Sequence, residues 1–343
     1  MTDESAALGA EPSVIADWLM AHIPDLSGVT GLVKFGSGQS NPTYRIDTAS
    51  GPYVLRSKPP GKLLRSAHLV EREYRVMAAL AETDVPVPNM LALAEDATSP
   101  TGRAFFVMEY LDGEIFWDPV LPEISQTDRR AYYDEMARVL AALHSVDPKA
   151  VGLCDYGKPG NYFARQTERW AEQYRASVET PSEAMMRIEA WLRERMPEDD
   201  GQVALVHGDY RLDNMMFARG ESRVIGLLDW ELSTLGHPLA DLAYQCFQWR
   251  LPHGGQMRGL AGKDRAALGL PTEEEYVAAY SAARGIDGVG DWTFYLVFSG
   301  FRLAAILQGV ASRAAAGNAS DPKGAIYGQL VPLLEEMIVG MLD

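Results

Sequence analysis

Apolar and polar positions alternate in short runs over the first third of the chain and recur at helical spacing over most of the rest. Residues 13–23 carry a helix-like apolar stripe. GLVKF (31–35), TYRID (43–47) and PYVLRS (52–57) follow, separated by Gly, Pro, Asn and Ser, which predicts an antiparallel meander. A helix is expected over 66–82, with Leu69, Val70, Val76, Met77 and Leu80 on one face. MLALAE (90–95) and AFFVMEY (104–110) read as two more strands before LDGE (111–114) breaks the pattern. Helices are then expected near 127–145, 161–178, 183–195, 239–250, 272–284, 291–315 and 324–341. One β island interrupts them: QVALV (202–206), MMFA (215–218) and RVIGLL (223–228).

This order predicts an α+β chain of two lobes. Residues 1–110 would form a small antiparallel β-rich lobe with one main helix, and residues 111–343 a larger, mostly helical one. The hinge is expected near 109–114. No internal repeat or long low-complexity segment is present.

Composition narrows the partners. A net charge of −16 over 343 residues argues against non-specific binding to nucleic acid or an anionic membrane. Cys154 and Cys246 stand too far apart for a disulfide framework or a zinc motif, which points to a reducing, cytoplasmic setting. The acidic start MTDESAALGAEP lacks the features of a signal peptide. FYLVFSGFRLAAILQGVA (294–311) contains Arg302 and Gln308 and reads as a buried helix rather than a membrane span. The Met pairs at 185–186 and 215–216 read as core.

The densest chemistry lies in LVHGDYRLDNMMF (205–217), where His207, Asp209, Asp213 and Asn214 sit among apolar residues. Buried polar groups need partners or a task. MMFA and RVIGLL flank the short polar turn RGES, so a hairpin is expected. Residues equidistant from its midpoint oppose each other, which would bring Asn214 and Asp229 together at its open end. An amide oxygen and a carboxylate are hard ligands, and Mg²⁺ needs only one or two carboxylates when phosphates and water complete its shell. His207-x-Asp209-x-x-x-x-Asn214, with Asp229 in LLDWE twenty residues after Asp209, has the spacing of a kinase catalytic loop and metal-binding Asp. Any one of these residues alone would be read as a turn cap.

The small lobe adds a second signal. Glu73 lies on its helix's apolar stripe and needs a buried cation. Val54, Arg56 and Lys58 alternate onto one strand face, and YVLR falls where kinases carry V-A-I-K. Arg56 is therefore expected to pair with Glu73, with either Arg56 or Lys58 touching phosphate. In FGSGQSNPTY (35–44), Gly36 and Gly38 would let backbone N–H groups approach phosphates, with Ser40 and Asn41 adding donors. MEYLDG (108–113) would be the hinge, with backbone groups near Glu109 and Leu111 meeting an adenine edge.

Together GSGQSNPTY, YVLR, EREYRVMAAL, FFVMEYLDG, HGDYRLDN, LLDWE and GHPLADLAY resemble the aminoglycoside phosphotransferase and choline kinase family, over nearly the whole chain. The resemblance implies a protein-kinase-like fold, ATP with Mg²⁺, and phosphorylation of a hydroxyl on a small molecule. The family also accommodates an Arg at position 56. VLRSKPPGKLLRSAHLVEREYRVM (54–77) is similar to the branch that includes kinase-like domains attached to acyl-CoA dehydrogenases, which implies a hydroxy acid or hydroxyacyl-CoA acceptor. An aminoglycoside or a choline-like amino alcohol is the alternative. Only about ten residues separate Asp229 from the helix at LADLAY, so no long activation segment is expected to hold a peptide.

Other roles stay open at this level. Asp241 would either brace the catalytic loop or favour its helix dipole. Arg302 would pair with an internal acid or touch substrate. His207 is expected to orient the loop, and His237 to be structural. The acceptor pocket, by family topology, would involve Trp249, Arg250, Tyr295 and Arg302. Two rival classes remain: a metal-dependent phosphohydrolase using His207, Asp209, Asp229, His237 and Asp241, and a non-catalytic nucleotide-binding module.

Overall fold

A computed structural model describes residues 8–36, 41–61, 68–254, 257–315 and 324–342. The chain divides into two compact units: the segment ending at Glu114 together with Met215–Leu232, and Ile115–Asn214 together with the segment from Ser233 onward. The expected boundary after residue 110 thus falls four residues before the first segment's end, and the 215–232 hairpin groups with the first unit.

The first unit is built on a five-stranded antiparallel sheet in the order β1-β2-β3-β5-β4. Its strands are β1 (Val29–Lys34), β2 (Thr43–Thr48), β3 (Gly51–Ser57), β4 (Met90–Ala94) and β5 (Phe105–Glu109). β3 is central, with Arg56 opposite Thr43 on one side and Phe106 on the other. Helix α1 (Pro12–His22) adds Ile15 and Leu19 to a core containing Tyr44, Ile46, Leu55 and Phe105. Helix α2 (Val70–Leu80) packs on β4 and β5 and buries Val70, Val76, Met77 and Leu80, as its apolar stripe requires.

A second sheet in this unit runs β6-β8-β9, from Gly113–Glu114, Met215–Ala218 and Val224–Leu227. Leu111 occupies the space a side chain at 226 would need, 2.4 Å from where its Cβ would stand, so Gly226 lets Leu111 close over the hairpin. The hairpin forms, but Met215 faces Leu227 rather than Leu228. Phe217 opposes Val224, so the turn centres one residue earlier than expected and the pairing beside it is two residues off; a bulge between Met216 and Phe217 restores one of the two.

The second unit is mostly helical. Its elements are α3 (Arg129–Ser145), α4 (Tyr162–Ala176), α5 (Glu183–Glu194), β7 (Ala204–Val206), β10 (Thr234–Gly236), α6 (Leu239–Trp249), α7 (Glu273–Arg284), α8 (Trp292–Ala315), α9 (Gly324–Gly328) and α10 (Val331–Val339). A Thr272–Glu275 capping box opens α7, and Gly285 at φ 67° closes it. The expected helix over 324–341 is two helices, because Pro332 opens α10 and cannot continue α9. Helix α8 is long and apolar enough to cross a membrane by composition, yet 78% of its most apolar window is buried against protein, as expected. It packs on α4, α5, α6 and α10. β10 pairs antiparallel with β7, a strand the sequence pattern did not reveal. Met185 and Met215 are core residues as read, but Met186 is exposed.

Candidate active site

The polar residues of 205–217 are arranged around a clamp. β7 ends at Val206, and the chain turns through Gly208 at φ 82°, a left-handed position that suits glycine. Asp241, in the first turn of α6, is 1% exposed. Its Oδ2 accepts from the His207 backbone N–H at 2.6 Å and its Oδ1 from the Gly208 N–H at 2.8 Å. His144 Nε2 donates to the same carboxylate at 3.3 Å, while its Nδ1 accepts from the Tyr280 hydroxyl at 2.7 Å. Burial lowers the His144 imidazole more than Asp241 raises it, so the ring is neutral and these bonds set its tautomer. Burial would raise the Asp241 carboxyl, but His144, His207 and the Gly208 N–H hold it below the usual range. Of the two roles left open for Asp241, bracing the loop is the one found. His207 also orients the loop, its Nδ1 accepting from the Asp209 N–H at 3.2 Å.

Asp209 follows, with both carboxylate oxygens engaged. Oδ1 accepts from the Tyr244 hydroxyl at 2.8 Å, and Oδ2 from Asn214 Nδ2 at 2.9 Å. Arg211 Nε lies 3.6 Å from Oδ2. Burial would raise the Asp209 carboxyl, but the Arg211 charge, the Tyr244 and Asn214 donors and His207 outweigh it and hold it ionised below the usual range. The side chain keeps 21% exposure, so a reactant can reach it.

Asn214 spends both amide protons on Asp209, donating to its main-chain oxygen and to Oδ2, each at 2.9 Å. Among the described residues its amide oxygen has no hydrogen-bond partner, the orientation a metal ligand needs.

Arg302 departs from expectation. It is buried in α8 and forms no ion pair among the described residues. Its guanidinium donates to the Gly208 carbonyl at 2.5 Å and lies over the rings of Tyr244 and Trp170, at 5.1 and 5.7 Å. Trp249, Arg250 and Tyr295 do not join it. Trp249 packs on Tyr133 and Tyr276, Arg250 pairs with Glu273, and Tyr295 stacks on His237.

The first unit holds a second cluster. Arg56 Nε lies 3.0 Å from Glu73 Oε2, the pair expected, and Arg56 Nη2 lies 2.5 Å from Asp229 Oδ1. Glu73 is 1% exposed. Burial works against the Arg56 charge, but Glu73, Asp229 and Glu231 outweigh it and raise its pKa, so it stays charged. Burial pushes the Glu73 carboxyl up, against the pull of Arg56. Asp229 sits at φ 65°, a left-handed conformation unusual for a residue with a side chain. Lys58, the other candidate for the phosphates, is bound by Glu71 at 2.5 Å and Asp96 at 2.7 Å.

Several sequence-predicted residues have other duties. Asn41, expected to face phosphate, is fully buried. Its Nδ2 donates to Glu73 Oε1 at 2.7 Å and its Oδ1 meets His68 Nδ1 at 3.0 Å, so it braces the ion pair. The Glu109 N–H donates to the Asn89 carbonyl at 2.9 Å, and its side chain accepts from Asn89 Nδ2, so that N–H is not free for an adenine. Leu111 packs over Gly226. Among the described residues nothing lies within 4 Å of where a Gly36 Cβ would stand, and its φ is not left-handed. Gly38 and Ser40 lie outside the described residues. Tyr244 was missed, although Asp241 and Tyr244, three residues apart, are polar positions on one face of an apolar helix.

Among the described residues no three His, Cys, Asp or Glu side chains stand together as a metal site. A self-contained metal centre of the hydrolase type therefore finds no support. The Asn214 amide oxygen and the Asp229 carboxylate are each of the donor type that Mg²⁺ takes when phosphates and water supply its other ligands.

The family model for phosphotransferase enzymes matches residues 31–286. Mouse acyl-CoA dehydrogenase family member 10 is 46% identical over 312 residues, which is 91% of this chain and 29% of the mouse protein. Rat acyl-CoA dehydrogenase family member 11 is 40% identical over 324 residues, 93% of this chain and 42% of the rat protein. The chain thus spans less than half the length of these relatives. A crystal structure from Ralstonia eutropha, provisionally assigned as an aminoglycoside phosphotransferase, is 46% identical with a TM-score of 0.87, covering 97% of this chain and 98% of that one. The aminoglycoside phosphotransferase APH(4)-Ia, solved with AMP-PNP and hygromycin B, shares the fold at 16% identity and a TM-score of 0.62, covering 96% and 98%. The α+β, protein-kinase-like architecture expected from the sequence is the one found, and the chain belongs to the phosphotransferase enzyme family.

Proposed function

We propose that the chain transfers the γ-phosphoryl group of ATP to a hydroxyl of a small molecule, with Mg²⁺ as the metal, and that the acceptor is a hydroxy acid or hydroxyacyl-CoA. The observation that carries this reading is the setting of Asp209: an ionised, reachable carboxylate fixed by Tyr244 and Asn214 on a loop clamped by Asp241. Phosphoryl transfer through a loose transition state asks little base strength of its catalyst and much positioning. Asp209 orients the acceptor hydroxyl and takes its proton as the new O–P bond forms and the bond from the γ-phosphorus to the departing ADP breaks. Asn214 and Asp229 would hold the Mg²⁺, which would offset phosphate charge. Arg56 is assigned to the phosphates, since Lys58 is committed to Glu71 and Asp96. Arg56 also holds Asp229.

The acceptor class is supported by the acyl-CoA dehydrogenase names of the relatives. Arg302, a buried cation without an acid partner among the described residues, adds positive charge beside Gly208, which suits an anionic acceptor. The provisional name of the Ralstonia structure favours an aminoglycoside as the second reading. A screen of ATP consumption against hydroxy acids, hydroxyacyl-CoAs, amino alcohols and aminoglycosides tests both. Turnover is expected with the first two and should fall by at least ~10²-fold in Asp209→Asn. Turnover confined to aminoglycosides would overturn the acceptor class. ATP-independent phosphoester hydrolysis, or no consumption of ATP with any hydroxyl compound, would overturn the kinase reading.

A further inference from the structure

Helices α4 and α8 pack side by side, and their contacts advance along both in the same direction. Phe163 meets Phe294, Tyr295 and Phe298. Trp170 meets Arg302, and Gln173 Nε2 lies 3.2 Å from where a Cβ on Gly309 would stand. Thr167 stands between Phe163 and Trp170 on the buried face of α4, so it faces α8 between Phe298 and Arg302.

This stretch of an otherwise aromatic interface holds donors with nothing to bond. Thr167 is 1% exposed and Trp170 6%, and their Oγ1 and Nε1 atoms are buried with no hydrogen-bond partner among the described residues. A mid-helix threonine often spends its hydroxyl on the carbonyl four residues back, and a buried indole N–H usually finds an acceptor. Arg302, also 6% exposed, adds a cation that pairs with no carboxylate among the described residues. Its Cζ lies 5.7 Å from the Trp170 ring centroid, and Arg169 stands over the same ring at 5.2 Å. An indole N–H, a hydroxyl and a guanidinium fork share one need, an oxygen acceptor, and the cation favours one that carries negative charge.

Two contacts tie this stretch to the reacting carboxylate. Arg302 Nη2 donates to the carbonyl of Gly208, the residue before Asp209. The same guanidinium lies 5.1 Å from the centroid of the Tyr244 ring, whose hydroxyl donates to Asp209 Oδ1 at 2.8 Å. A molecule whose hydroxyl meets Asp209 therefore lies beside Arg302.

We propose that Arg302 and Trp170 form the subsite that holds the acyl end of the acceptor. The Arg302 fork and the Trp170 Nε1–H donate to its acyl oxygen, Thr167 adds a third donor, and the acceptor's hydroxyl lies at Asp209. The inference rests on the phosphotransfer reading and names the side chains that set its acceptor class. A carboxylate and a thioester carbonyl both present such an oxygen. An amino alcohol or an aminoglycoside brings an ammonium instead, which Arg302 repels and which has no lone pair for the Trp170 N–H.

Isothermal titration of the full chain with 2-, 3- and 4-hydroxybutyrate and their CoA esters tests the subsite without nucleotide. The butanediols, which lack the acyl oxygen, and free CoA are the controls, and ATP consumption with the same compounds gives the kinetic readout. At least one acid or ester should bind saturably, about tenfold or more tighter than its control. Trp170→Phe keeps a ring against Arg302 and removes one N–H. It should weaken binding and raise KM for that compound about fivefold or more, with a smaller effect on kcat and on the diols. Arg302→Lys replaces a fork with a point and should lose about tenfold or more in affinity. Thermal melting that matches the parent separates a lost subsite from a lost fold. A loss confined to the acids identifies the oxygen as a carboxylate, and a loss shared by the esters identifies it as the acyl carbonyl. Binding of no acid or ester, equal binding of acid and diol, or an acid-to-diol preference unchanged in folded Trp170→Phe would each overturn the subsite. A parent that binds the acids but consumes no ATP with any of the compounds would instead overturn the phosphotransfer reading, and the Trp170→Phe affinity then decides the subsite.

Discussion

Asp241 Oδ2 accepts the His207 backbone N–H at 2.6 Å, joining the first turn of α6 to the loop that carries Asp209. The same carboxylate takes the Gly208 N–H through its other oxygen. One buried side chain thus satisfies two consecutive backbone donors, which fixes both peptide planes immediately before the reactive residue. Asp241→Asn supplies one acceptor in place of two and turns an N–H₂ toward a backbone N–H. A stability loss of about 1–3 kcal/mol follows from one buried donor left without a partner, and turnover should fall with it. Urea denaturation beside a turnover assay checks this. A variant as stable and as active as the parent would show that the clamp is dispensable.

His144 gives that clamp a pH dependence. Burial depresses its folded pKa below the ordinary value near 6.5, and His237 is depressed for the same reason. For a depressed base the unfolded chain binds a proton that the folded chain refuses, so stability is fully present above about pH 6.5 and declines as the pH falls below it. Asp209 and Asp241, also depressed, add a second decline at more acid pH. Denaturation midpoints should therefore carry a histidine-dependent fall from pH 7 to pH 5, opposed over the same range by Glu73, whose carboxyl burial pushes up. His144→Gln should flatten part of that slope, leaving the His237 share. A pH dependence untouched by the substitution contradicts a neutral buried imidazole.

Arg56 ties together two carboxylates from distant stretches of the chain, Glu73 and Asp229. Removing it in Arg56→Ala leaves Glu73 buried with Asn41 as its remaining hydrogen-bond partner among the described residues. Breaking a buried pair from one side costs about 3–5 kcal/mol. Arg56→Lys keeps the charge but replaces a fork with a point, so it should serve one carboxylate and not both. The Lys variant is expected to lie between parent and Ala in stability and to bind Mg·ATP more weakly than the parent. Identical stability and ATP Michaelis constants in all three proteins would separate Arg56 from both roles.

The sequence made some of these relationships legible and hid others for physical reasons. His207, Asp209 and Asn214 fall within eight residues, so spacing alone exposes them. Glu73 betrays itself by interrupting an apolar stripe, and burial of its side chain follows. The Asp241–His207 bond spans 34 residues and joins a side chain to a main-chain group, which leaves no mark in spacing. β10 has three residues, too few for alternation to register. The hairpin around 219–222 was visible, but its register depended on where the turn centres and on a bulge, neither of which pattern encodes. Asn41 was misread because a polar residue beside a glycine-rich loop looks the same whether it faces a ligand or a buried carboxylate.

Tyr244 sets the last test, because its hydroxyl donates to Asp209 Oδ1 at 2.8 Å and so favours the ionised carboxylate. Burial and Asp209 push the phenol's own pKa up, which keeps it a donor over the working pH range. Tyr244→Phe preserves the ring under Arg302 and removes only that donor. The Asp209 carboxyl should then rise toward or above the ordinary carboxylate value, and the acid limb of the kcat/KM profile should move to higher pH. Turnover at pH 8, where Asp209 is ionised in either protein, should fall by less than the ~10²–10⁴ expected of Asp209→Asn. A role confined to packing would lower activity equally at every pH and leave the limb in place. An unmoved acid limb in a folded Tyr244→Phe protein would therefore show that this hydrogen bond does not tune Asp209. A movement to lower pH would mean that Asp209 is not the group whose ionisation the profile reports.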